Sequence, residues 1–282
     1  MSAAASRYDQ AQFRRERAEG RLRIGFGTRA GASVLATLFQ QGCLKARFPR
    51  PEDAAWPEAL VLNLSGGVAG GDDLESEITL GENTRAIVAS PAAERFYRAL
   101  SLAAPARVAT AITLAPGARL EWLPQESILF DGCALSRRSE IALFGDAVFL
   151  GAEMLVFGRA AMGERLEHGC VRDEISLSRD GVPQLFEATR LSGEIAAALG
   201  GAAAAARATG TALLIYAGED AGAYLSPLRD ALAGLEAGAS LVLPDLLIAR
   251  ILAPSAWALR RAVMAGLQVL RNHRRMPRVW HG

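Results

Sequence analysis

The 282-residue sequence predicts a mainly β protein that closes with two α-helices near its C-terminus. Three observations carry that expectation. From Leu22 to about Arg190, short alternating apolar runs are broken by glycine turns, which is the habit of antiparallel β structure. Within this stretch Ile78-Thr79-Leu80, Ile112-Thr113-Leu114, Ile141-Ala142-Leu143 and Ile175-Ser176-Leu177 repeat one pattern. Each puts two aliphatics on one strand face and is followed by a turn glycine, at Gly81, Gly117, Gly145 and Gly181. The leading isoleucines lie 34, 29 and 34 residues apart, as in stacked units that each bury a face against the next. The four units read as hairpins. Finally, the composition changes after the Ala/Gly-rich segment 195–210, and the two helix candidates follow it.

In chain order, residues 1–20 lack a sustained apolar period and read as a flexible tail, leaving 21–282 as a single domain. The Ala/Gly-rich segment 195–210 reads as a linker or surface insertion, because small side chains bury too little area to nucleate a core. Beyond it, Thr211–Tyr216 and Leu246–Leu252 are strand candidates and 223–236 is an amphipathic helix candidate. The strongest helix is 255–272. Ser255 supplies its N-cap, and Leu259, Val263, Leu267 and Leu270 form one apolar stripe, with Arg260, Arg261 and Arg271 lying elsewhere on it.

Composition removes several classes of function. With 31 basic and 30 acidic residues, the formal charge of +1 provides no field to draw in nucleic acid or an anionic membrane. Lys45 is the sole lysine and stands between Leu44 and Ala46, so a P-loop is excluded. Histidine is confined to His168, His273 and His281, too few and too scattered for a His-based zinc or iron site. Cys43, Cys133 and Cys170 are odd in number and far apart, which suits a reducing compartment, and no export signal is visible near the N-terminus. The expected location is the cytoplasm.

Two local features have alternative readings. The loop Ser65-Gly66-Gly67-Val68-Ala69-Gly70-Gly71-Asp72-Asp73 permits positive φ and close backbone approach, so it is either a tight bend or a polar ligand cradle. The second alternative would make the chain a small-molecule-binding enzyme using residues 65–73. His168 and Cys170 would share a strand face and suit a borderline metal ion, although an exposed His beside a buried Cys is the commoner arrangement.

Longer blocks carry a resemblance. Leu62-Asn63-Leu64-Ser65-Gly66-Gly67-Val68-Ala69-Gly70-Gly71-Asp72, Ala89-Ser90-Pro91-Ala92-Ala93, Phe96-Tyr97-Arg98, Gly117-Ala118-Arg119-Leu120-Glu121-Trp122-Leu123-Pro124-Gln125-Glu126 and Phe130-Asp131-Gly132 resemble the signature of the urease accessory protein family UreD, also called UreH. The ending Pro277-Arg278-Val279-Trp280 resembles that family's ending. The resemblance implies a helical stack of β-strands (β-helix-like) with two helices. It implies a non-enzymatic scaffold that docks on apo-urease in a hetero-oligomeric complex, dimeric through UreF. With UreF and the GTPase UreG, such a scaffold assists nickel delivery. No tightly bound cofactor is expected, only a transient nickel ion. The positions matching the family's polar internal tunnel are Asp72, Glu153 and Glu187, and the C-terminal helical region, with Arg260, Arg261 and Arg271, would face UreF. Glu94 and Cys133 depart from the family pattern, Glu94 adding a carboxylate at the tunnel mouth.

Overall fold

The computed structural model describes residues 17–159, 162–201 and 208–281. Most of the expected N-terminal tail, up to residue 16, and residues 202–207 of the expected insertion lie outside the described residues. The rest is mainly β, as the alternation predicts, and is built as two mixed sheets facing each other.

The seven-stranded sheet has at its centre five parallel strands, β1 (Glu19–Arg29), β5 (Asp73–Leu80), β8 (Ala106–Leu114), β11 (Cys133–Leu143) and β13 (His168–Arg179). Its edges are antiparallel, β2 (Ala32–Gly42) beside β1 and β14 (Val182–Glu194) beside β13. The two edge turns, Ala30-Gly31 and Asp180-Gly181, have both residues at positive φ, the geometry that matches a two-residue turn to strand twist.

The second sheet runs β3 (Leu44–Arg47), β4 (Glu58–Asn63), β6 (Arg85–Ala89), β9 (Arg119–Leu123), β12 (Val148–Phe157), β15 (Gly210–Ala217), β17 (Leu246–Ala253) and β16 (Ala237–Leu243). Its strands β4, β6, β9 and β12 are parallel to one another. Two short strands, β7 (Glu94–Phe96) and β10 (Ser127–Leu129), join it beside β12.

The repeated units are therefore not hairpins in three of four cases. After Gly81, Gly117 and Gly145 the chain does not return beside the strand it has left; it crosses to the opposite sheet, so β5, β8 and β11 are followed by β6, β9 and β12. A hairpin would leave the paired aliphatics covered on one side only, whereas the crossing folds one apolar face onto another. Only the fourth unit, at Asp180-Gly181, is a hairpin. The aliphatics do stack. Ile24, Ile78, Ile112 and Ile141 stand side by side, as do Phe26, Leu80, Leu114 and Leu143, and all are buried between the sheets.

The outer face of the second sheet carries a second core, covered by α2 (Ala221–Ala231) and α3 (Ala256–Leu270); α1 (Ile195–Leu199) is a single short turn anchored by buried Ile195. The long helix has the expected start, with Ser255 Oγ accepting from Ala258 N at 3.1 Å, and its whole stripe is buried. The other stops short of residue 236, where Gly234 at φ 77° turns the chain into β16. None of the helices among the described residues is long and apolar enough to cross a membrane.

Because Ile112 sits at the centre of the stacked row with 2% exposure, Ile112→Ala should cost about 2–5 kcal/mol. Ala111→Ser, on the opposite, exposed side of β8, should leave stability nearly unchanged. Urea denaturation followed by tryptophan fluorescence checks the pair.

Candidate functional site

Between the sheets the aliphatic rows give way to a polar layer, and a register displacement creates it. Through the first four strands of the stack isoleucine pairs with isoleucine, but β13 is displaced by two residues, so Ile141 stands beside Leu177 rather than Ile175. A shift of two keeps the same side chains facing inward. Its effect is to bring Asp173 directly beside Arg137.

Arg137 is the hub of this layer. Its Nε donates to Asp173 Oδ1 at 2.8 Å and a terminal nitrogen donates to Asp173 Oδ2 at 2.6 Å, a bidentate pair. The other terminal nitrogen donates to Ser127 Oγ at 2.9 Å and lies 3.2 Å from Glu153 Oε2. On the far side, Trp122 Nε1 donates to Glu153 Oε1 at 3.1 Å. Arg137, Ser127 and Asp173 are buried, and Glu153 is enclosed almost as fully. Burial pushes the Glu153 carboxyl up from the ordinary glutamate value, with Arg137 pulling against it and Asp173 adding to the rise. Burial also works against the Arg137 charge, but Asp173 and Glu153 outweigh it and hold the guanidinium protonated.

Two cavities share Glu153 in their linings. The larger, about 120 Å³, is lined on its polar side by Asn63, Glu94, Thr110, Ser127, Arg137 and Glu153. The smaller, about 60 Å³, is lined by Glu153, Asp173, Glu187, Thr189, Thr211 and Arg250 among others. Either volume exceeds what one water needs, and both offer the polar partners that hold water in place.

The predicted residues are thus partly assembled. Glu153 and Glu187 line one cavity, Glu187 paired with Arg250 at 2.5 Å. Asp72 lines neither. Its carboxylate is buried and accepts from Ala18 N at 2.9 Å and Ala69 N at 2.7 Å, fastening the glycine loop to the start of β1. That loop is packed rather than open. A Cβ at Gly67, φ 142°, would meet the Tyr97 ring at 2.4 Å, and Tyr97 Oη donates to Gly66 O at 2.7 Å. Glu94 lines the larger cavity, and its carboxyl is raised by burial, with a smaller push from Asp72.

Sequence reasoning missed Arg137, Asp173 and Ser127 altogether. A signal for the first was present, since Leu135, Arg137, Ser139 and Ile141 alternate on one strand and put a charge at an inward position. His168 and Cys170 belong to no cluster of three metal-ligating side chains among the described residues. His168 is exposed and reaches Glu194 at 3.1 Å. Cys133 is buried, which pushes its thiol up to about 12.

The three C-terminal arginines also divide. Arg271 is buried and cannot meet a partner: its Nε donates to Glu121 Oε2 at 2.8 Å, and Nη1 donates to the carbonyls of Arg274 and Arg275. Arg260 points inward too, toward Gln125, Glu126 and the carbonyl of Trp280. Only Arg261 is exposed, stacked on the exposed Trp257 ring. The tail is sewn to the same strand end, Gln125 Nε2 donating to Val279 O at 3.0 Å and Trp280 Nε1 to Leu123 O at 3.2 Å.

Glu94 gives a pH test. Its folded value is raised, so the folded chain holds that proton more tightly than the unfolded chain, and stability is lost as pH rises through the raised value. Glu94→Gln should therefore unfold at a higher temperature than the parent near neutral pH. The gain should shrink as pH falls toward about 4, the ordinary glutamate range. Thermal melts across pH check it.

Comparison with known proteins agrees with these blocks. A family model described as UreD urease accessory protein matches residues 18–281. The chain is 38% identical over 271 residues to the urease accessory protein UreD of Rhizobium rhizogenes, covering 96% of this chain and 98% of that one. It is 42% identical over 248 residues to the UreD of Ruegeria pomeroyi, covering 88% and 95%, and 41% identical over 275 residues to that of a Methylobacterium species, covering 95% and 96%. With the signature blocks and nearly the full length matched, the chain belongs to the UreD family of urease accessory proteins.

Proposed function

We propose that this protein is a non-enzymatic scaffold of urease maturation that binds apo-urease and, with UreF and the GTPase UreG, hands nickel to the urease active site. The observation that carries the reading is a pair of cavities that share the enclosed carboxylate Glu153 inside a member of an accessory family. Carboxylate and hydroxyl oxygens hold a borderline cation less firmly than imidazole or thiolate, which favours passage over storage. On this reading Glu94, Glu153 and Glu187 mark successive points of the path, and Asp72 acts by holding the loop beside Glu94. Nickel is cargo rather than a resident cofactor. The role fits a stack whose fold is maintained by the apolar rows beside the polar layer.

The alternative, an enzyme using loop 65–73, loses support from the same geometry. The Asp72 oxygens already accept from two backbone amides, and Tyr97 fills the space over Gly67.

Urease activation in cells carrying the complete set of accessory proteins tests the path. Glu153→Gln with Glu187→Gln should lower activity and urease nickel content several-fold while complex formation persists. Ser139→Met, filling the larger cavity from a buried position, should do the same. Unchanged activation by these folded variants would place the nickel route elsewhere.

The exposed Arg261 and Trp257 on α3 are the part of the helix available to UreF. Arg261→Glu should weaken UreF co-purification with little change in melting temperature. Arg260→Glu would set a carboxylate against Glu126 and lower the melting temperature itself. Retention of UreF by Arg261→Glu would exclude this face.

A further inference from the structure

The layer between the sheets holds two carboxylates against one guanidinium. Asp173 uses both oxygens on Arg137, while Glu153 meets the same guanidinium through a single contact at 3.2 Å and takes the Trp122 indole on its other oxygen. Arg137 is the sole cationic side chain among the described residues lining the larger cavity. In the smaller one Arg250 is committed to Glu187. Arg137, in the lining of the larger cavity, therefore bridges Glu153, which both cavities share, and Asp173, which lines the smaller one, and these are the two acids that a passing divalent ion would use.

We propose that Arg137 is the resident counter-cation of the passage. It fills, between Asp173 and Glu153, the place a divalent ion would otherwise keep, so that the ion is handed on rather than retained. The proposal rests on the reading of the cavities as a cation path.

The physical argument is one of competition. Two neighbouring carboxylates in an enclosed site demand a positive partner, since burying unpaired charge is costly. A guanidinium supplies it permanently, being planar, bidentate and never deprotonated. A divalent ion arriving at Glu153 then meets a fixed positive charge a few ångströms away and gains only the oxygen that Arg137 holds least firmly. Repulsion at such range in a partly dry interior is strong. Long residence would require Arg137 to leave Asp173, which breaks the best hydrogen bonds in the layer. Without the guanidinium the same acids would form a trap.

The test uses the full chain as wild type, Arg137→Gln, and the triple variant Arg137→Gln/Glu153→Gln/Asp173→Asn. Each is dialysed against nickel chloride, bound metal is measured by mass spectrometry, and melting is followed with and without nickel. At equal free nickel, Arg137→Gln should hold about one more ion per chain than wild type, at least about tenfold tighter, and the triple variant should lose that ion. Nickel should raise the melting temperature of the single variant and not that of the triple variant. Wild-type uptake by folded Arg137→Gln, or extra uptake that survives in the triple variant, overturns the proposal. Should Arg137→Gln fail to fold alone, nickel is expected to restore cooperative melting, and failure to restore it overturns the proposal equally. Urease activation separates the two ideas. A variant that traps nickel yet activates urease fully leaves the role of Arg137 standing and refutes the path.

Discussion

A charge can be enclosed between two sheets only if its counter-charges arrive from other strands in fixed register, and the Arg137 layer imposes that condition on this fold. Asp173 comes from the neighbouring parallel strand and Ser127 and Glu153 from strands of the opposite sheet, where Trp122 on β9 holds Glu153 from its other side. A displacement of β13 by one residue would turn Asp173 outward, and a return to isoleucine-on-isoleucine pairing would put Val171 beside the guanidinium. Both would strand a buried cation. The layer contributes little net stability, because the desolvation of its ions offsets their attraction. What it specifies is alignment, with the apolar rows above supplying the driving force.

The strand that carries Trp122 also ties the two cores together. Along β9 the side chains alternate, so Leu120 and Trp122 face the layer between the sheets while Glu121 and Leu123 face the helices. Glu121 takes Arg271 and also Arg274, and the next residues, Gln125 and Glu126, take Arg260 and the tail around Val279. Ser127 follows and accepts from Arg137. The Glu-Trp-Leu-Pro-Gln-Glu block and the Pro-Arg-Val-Trp ending, far apart in sequence, are thus one structural joint. Their polar side chains reach several different elements, Glu121 and Glu126 the long helix and its end, Trp122 the strand of Glu153, and Gln125 both Arg260 and the tail.

Much of the fold could be read from residues alone, for reasons that also explain what could not. The Ile-x-Leu runs were legible because period-2 alternation records which face is buried, and the Ser255 helix because a cap and a stripe record where a helix begins and what it covers. The path of the chain after each run was not legible. A glycine turn looks the same whether it returns beside a strand or crosses to another sheet, and that choice depends on where the next apolar face finds a partner. The site followed the same division. Glu153 and Glu187 came to one cavity, while Asp72, with equally acidic chemistry, was claimed by two backbone amides of its own loop. Arg271 looked like a surface arginine because it lies off the stripe, yet Glu121, 150 positions earlier, draws it inside. Contacts of that separation leave no local pattern.

The arrangement also explains how enclosed cavities can coexist with a stable stack. A change in what the cavities hold would disturb hydrogen bonds to oxygen, which water can replace at little cost. The rows of Ile and Leu on the same strands keep their contacts throughout, because a two-residue pleat separates them from the polar layer. Apolar packing and charged contacts therefore occupy different levels of the same strands. An interior apolar throughout would have left the Arg137 charge without partners, and a polar interior throughout would have left nothing to drive folding. The guanidinium held at the centre of the polar layer is the remaining condition, since without it Asp173 and Glu153 would be enclosed side by side with no counter-charge, which is costly.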